Sequence, residues 1–216
     1  MVTTFLERVK KKTREQQVAE KLWNAYSHAV ALIITLPMAY FLLKQAHTKI
    51  EWISYSIFML SMMLSFATST IFHASYSKWR ELYRKLDHSA IYMLIIGTYA
   101  PMMLLAVGGT LGIVIFSVVC VLGTAGIILK LFYYKKIQRI SIQLYVALGW
   151  LMMLAIIPIF HHIGWPGMFW LLLSAAFFMS GVYFFKETKL LFSHTVWHVL
   201  VLFGSFAMYV CIYLYV

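Results

Sequence analysis

The sequence predicts an all-α integral membrane protein, a seven-transmembrane helix bundle with a cytoplasmic N-terminus and an extracellular C-terminus. Three observations carry this. First, 62% of the 216 residues are hydrophobic and only 12% are charged. A soluble domain is roughly half apolar and a quarter charged, so this chain has too little polar surface to cover itself in water. Second, the apolar residues gather in runs of about twenty, long enough to cross a hydrocarbon core as helices. Third, the cations occupy alternate connections between those runs.

Residues 1–22 form a basic, polar segment with no apolar run, which reads as a cytoplasmic N-terminal segment and not as a secretory signal. Residues 23–216 then form the membrane domain. Its first span is Trp23–Leu43 and its second Trp52–His73. The third, His88–Val107, ends at Gly108-Gly109, a tight turn leading into the fourth, Thr110–Tyr133. The fifth, Ser141–Phe160, reaches a turn at Gly164 and Pro166, and the sixth is Trp165–Phe185. The seventh is Thr195–Val216. Pro37, Pro101 and Pro158 lie inside spans, where neighbouring helices absorb a kink. Trp23, Trp52, Trp165 and Trp170 read as interfacial anchors, and the Met-rich stretches as packing against lipid or neighbouring helices. Cys120 and Cys211 lie in apolar runs, outside any disulfide framework.

The charges orient the bundle. Arg8, Lys10, Lys11, Lys12, Arg14 and Lys21 precede the first span, and Lys78, Arg80, Arg84 and Lys85 follow the second. Lys130, Lys135, Lys136 and Arg139 follow the fourth, and Lys186 and Lys189 the sixth. Only Lys44 and Lys49 fall on the other side, so the N-terminus is inside. The net charge of +11 therefore points to anionic lipid heads and not to nucleic acid, since no helix face collects it.

Ionisable residues at membrane depth are costly and usually face a bundle interior. Here they converge on the cytoplasmic side. His73 closes the second span with Ser69 one turn deeper, Asp87 and His88 open the third, and His194 and His198 open the seventh. Glu20, Asn24 and His28 run up the first at helical spacing. His194 and His198, four apart, share a helix face and can grip one metal ion. By depth His73 is the best third ligand, which would leave a zinc ion's fourth position open. Asp87 can hold a bound water, accept a ligand's N–H or act as general base. Ser69 can orient His73 or hydrogen-bond a substrate carbonyl, and Glu20, Asn24 and His28 read as supports. His88 lies a step round the helix from Asp87 and is left out of the site. His161 and His162, adjacent in sequence at the opposite face, cannot share a helix face.

These pieces together resemble the progestin and adipoQ receptor superfamily in its bacterial haemolysin III branch. The matching residues are Glu20-x-x-x-Asn24-x-x-Ser27-His28, Ser69-x-x-x-His73, Asp87 and His194-x-x-x-His198, in order along nearly the whole chain. The resemblance implies a multi-pass protein of the bacterial cell membrane, with zinc held by His73, His194 and His198 and Asp87 beside the metal's water. It also implies kinship with alkaline ceramidases, whose similar Ser, Asp and three-His set hydrolyses lipid amides. Members of the superfamily act as receptors, hydrolases and haemolysins, so function is argued from the site. The expectation is a zinc-dependent hydrolase of lipid amide or ester bonds, with membrane lipids as substrate or ligand and Asp87 and Ser69 as catalytic residues. The alternatives are a sensor of membrane state with structural zinc and, last, a pore or transporter.

Overall fold

The computed structural model describes residues 13–138, 140–186 and 192–216. Arg8, Lys10, Lys11, Lys12, Arg139 and Lys189, which enter the charge argument, lie outside those residues, as does the start of the basic segment. Every regular element among the described residues is helical: α1 Arg14–Lys44, α2 Lys49–Ala74, α3 Arg80–Pro101, α4 Gly109–Phe132, the short α5 Tyr134–Ile137, α6 Ser141–Trp150, α7 Ile156–Lys186 and α8 Ser193–Tyr215. Six stretches are long and apolar enough to cross a membrane, the fifth of them the 46-residue run Ser141–Lys186 that joins α6 to α7. Two spans were expected there. Gly164, at φ 60° and ψ −172°, interrupts helical geometry between them, a conformation that suits glycine and sits two residues before Pro166.

Helices α1 and α3 begin earlier than the apolar runs. α1 starts at Arg14 because Thr13 closes a capping box: its Oγ1 accepts from Gln16 N at 3.2 Å, and Thr13 N donates to Gln16 Oε1 at 2.9 Å. The same device, Thr48 with Glu51, opens α2 at Lys49. α3 starts at Arg80, so Arg84 and Lys85 are helical and Asp87 stands about two turns in. Two prolines leave local signatures. Pro101 is followed by a π-helical turn, Met102–Val107, and Pro158 is preceded by a 3₁₀ turn, Leu151–Ala155. At Pro158 the ring cannot donate and crowds the carbonyl four residues back, that of Leu154, inside the 3₁₀ turn, whereas the wide turn after Pro101 closes on Gly108 N donating to Met103 O at 2.9 Å.

Successive helices pack as neighbours and α1 closes against α8. Met59, Met62, Met102 and Met103 are buried with Phe58, Phe66, Ile159 and Ile212, so these methionines pack against helices and not lipid. Gly97 lets α3 approach α2, since a Cβ there would lie 1.8 Å from Ser61 Oγ. The outer faces stay apolar, with Ile33, Val121 and Leu154 exposed, as a lipid solvent permits. Trp23, Trp52 and Trp165 are exposed. Trp170 is not: it is half-buried and packs on the core, which corrects its reading as an anchor.

Candidate metal centre

Three helix ends build the site. α2 ends with Ser69 and His73, α3 carries Asp87 and His88, and α8 opens with His194 and His198. One ring nitrogen from each of His73, His194 and His198 lies within 4.8 Å of the others. The ring centroids are 4.6 Å apart for His194–His198, 4.8 Å for His73–His198 and 5.4 Å for His73–His194. The helical period delivers the α8 pair to one face, and packing of α2 near α8 brings in the third. Phe192, whose φ of 57° is the one positive value outside glycine among the described residues, caps α8, which starts at Ser193, one residue before His194.

The nitrogens fit a metal better than they fit a hydrogen-bonded cluster. Both ring nitrogens of His73 and Nε2 of His198 are buried without a protein partner, and buried polar atoms are rarely left so. A cation shared by these imidazoles would satisfy them. Asp87 stands outside the converging group, so the set is three histidines with no carboxylate.

Behind the histidines lies a supporting layer. His198 Nδ1 is 2.8 Å from His28 Nε2. A His198 that ligates through Nε2 carries its proton on Nδ1 and donates to His28, whose own proton then sits on Nδ1. Asn24 Oδ1 accepts from Thr195 Oγ1 at 2.6 Å, pinning α1 to the turn between the two α8 histidines. Glu20 lies one turn below Asn24 and is half-buried. Ser69 does not serve His73 as expected. Its hydroxyl lies 3.5 Å from His198 Nδ1 and faces the Asp87 carboxylate, with which it hydrogen-bonds.

The sequence reading left out two features. One is a cavity of about 310 Å³ that begins at Ser69, Asp87, His194 and His198 and runs past apolar side chains to Trp150, Met153 and Leu172. Those last three are exposed on the outside of the bundle. The other is His88, which also lines the cavity. Its carbonyl accepts from Tyr145 at 2.9 Å and its Nε2 lies 3.5 Å from Tyr134 Oη. For His88 the available signal was its place beside Asp87 at the start of the third span. His161 and His162 are exposed and belong to no cluster of metal-binding groups among the described residues.

The chain is similar to known proteins over nearly its whole length. A family described as haemolysin-III related matches residues 16–209. The hemolysin-3 homolog of Bacillus subtilis (strain 168) is 34% identical over 202 residues, 92% of this chain and 95% of the relative. Hemolysin-3 of Bacillus cereus is 35% identical over 211 residues, 95% and 96% of the two chains. The human monocyte to macrophage differentiation factor is 24% identical over 199 residues, 89% of this chain and 82% of that one.

Proposed function

The chain belongs to the haemolysin-III-related family and is a multi-pass protein of the bacterial plasma membrane, and from that premise we propose that it is a zinc-dependent hydrolase of lipid amide or ester bonds. The observation that carries this reading is a three-histidine cluster, with no carboxylate in it, opening on an apolar cavity beside an aspartate. A structural zinc site is closed by four protein ligands, whereas a catalytic one keeps a position open.

His73, His194 and His198 are the ligands. Bound there, zinc supplies Lewis acidity for a substrate carbonyl and lowers the pKa of water. Asp87 takes a proton at its carboxylate as general base, and Ser69, bonded to it, holds it in position. His28 fixes the tautomer of His198 and leaves Nε2 free to ligate. The cavity is lined mostly by apolar side chains and houses acyl chains, and its exposed Trp150, Met153 and Leu172 suit entry from the bilayer. Membrane lipids are thus the partners this reading requires.

Seven spans suit the reading. A single straight helix of 46 residues would run about 70 Å at 1.5 Å per residue, more than twice a hydrocarbon core of about 30 Å. The break at Gly164 divides it into arms of about span length. Seven crossings, with the lysine- and arginine-rich connections inside, put the metal centre at the cytoplasmic face, the C-terminus outside, and the basic segment 1–22 ahead of a membrane domain 23–216.

The experiment is release of fatty acid from a panel of lipid amides and esters by detergent-purified protein, wild type beside Asp87→Ala. The variant is expected to keep its metal and lose turnover by about 10²–10⁴-fold. Equal turnover in the two proteins removes Asp87 from the chemistry. If no lipid is hydrolysed while metal is bound, the centre ties α2 to α8 in a sensor of membrane state.

A further inference from the structure

A second group of ionisable side chains lies beside the metal centre and takes no part in it. Lys130, in the last turn of α4, is only 1% exposed. Its Nζ lies 4.8 Å from the ring centroid of Tyr134 on α5, and the guanidinium of Arg84 on α3 lies 4.8 Å from the same centroid. Three elements thus bring two cations to one buried tyrosine. His88 is the third basic group at this point, through its contact with Tyr134.

Among the described residues the cluster lacks a matching anion. Among the described residues Glu81 is the one acidic group paired with it, 3.7 Å from Arg84 and itself 61% exposed. Asp87 is turned toward Ser69. Arg84 Nε is buried without a partner. Two cations on one aromatic ring repel each other, and a desolvated ammonium is costly unless paired. A π-face offsets only part of that cost.

We infer that Arg84, Lys130 and Tyr134 form a binding site for the phosphate of an anionic glycerophospholipid. The level is right: all three residues stand at helix ends on the side where α2 ends and α8 begins, where lipid phosphates lie. Basic pockets between membrane helices take such headgroups. Arg84, with its side chain 40% exposed, is the entrance and offers a forked donor that suits phosphate oxygens. Lys130 sits deeper as the point charge. The exposed apolar surface of α4 next to it, Ile128, Leu129 and Phe132, gives the acyl chains a bed. The site is independent of any hydrolysis at the metal centre.

The test uses the full chain in nanodiscs of phosphatidylcholine, alone, with phosphatidylglycerol, or with inorganic phosphate in the buffer. Wild type is expected to gain several degrees in Tm with phosphatidylglycerol and to retain that lipid through native mass spectrometry. Lys130→Met should lose both effects while staying at least as stable as wild type in phosphatidylcholine, because it removes a charge that is costly to bury. Arg84→Gln should weaken retention tenfold or more, and far-UV circular dichroism with a cooperative thermal transition of each variant reports that the bundle has folded. Should Lys130→Met fail to fold, Arg84→Gln decides. Equal retention by wild type and the folded variants overturns the site. Inorganic phosphate matching the lipid's stabilisation overturns the lipid as its ligand.

Discussion

The chain carries two close pairs of histidines, and their fates differ. His194 and His198 lie four apart on α8, and they meet His73 of α2 and His28 of α1. His161 and His162 are adjacent in sequence, sit on the α7 arm before Gly164, and are exposed. Residue type is the same in both. Spacing sets whether two imidazoles share a face, and neighbouring helices set whether the face finds a third ligand. A pair with both properties is a candidate centre, and a pair with neither is surface.

That contrast can be broken in order of effect. Replacing His194 and His198 together by alanine should remove bound metal, while His161→Ala/His162→Ala should keep the wild-type content and change stability by less than about 0.5 kcal/mol. Acidification sharpens the same contrast. Ligation needs neutral imidazole, so metal should be retained at neutral pH and lost on acidification. Equilibrium dialysis against a zinc indicator across pH checks the direction.

Next in size is the supporting layer. His28→Ala removes the acceptor on His198 Nδ1 and should weaken zinc affinity by about 10–100-fold without abolishing binding. His28→Gln, which restores an acceptor oxygen, should recover part of the loss. Affinity unchanged in the alanine variant would make His28 a packing residue. The smallest effect lies away from the centre: a Cβ at Gly126 would stand 2.4 Å from the Tyr92 ring. Gly126→Ala should therefore cost about 1–3 kcal/mol by overpacking, read as a lower Tm at unchanged metal content.

The spans were legible because hydropathy reports what lipid touches. It says nothing of polar helical turns beyond the bilayer, which is why α1 and α3 start earlier than the apolar runs. Local chemistry was the readable sign at two helix starts, Thr13-x-x-Gln16 and Thr48-x-x-Glu51. In the site, the four-residue spacing on α8 was readable because a helix has a fixed period. The contact of His28 with His198 was not, since it depends on α1 closing against α8, nearly the whole chain apart. The same holds for Ser69, which period alone assigns to His73 and tertiary packing turns toward His198 and Asp87. The cavity and the Lys130–Tyr134–Arg84 cluster are products of packing between helices, and no single run of residues encodes them.

The most direct measurement is the metal content of detergent-purified protein by mass spectrometry, beside His194→Ala/His198→Ala prepared identically. The account predicts about one zinc per chain in the wild type, as expected for a single three-histidine centre, and background in the variant. Wild type purified without chelators and carrying no metal would contradict it, leaving His73, His194 and His198 as a polar packing cluster.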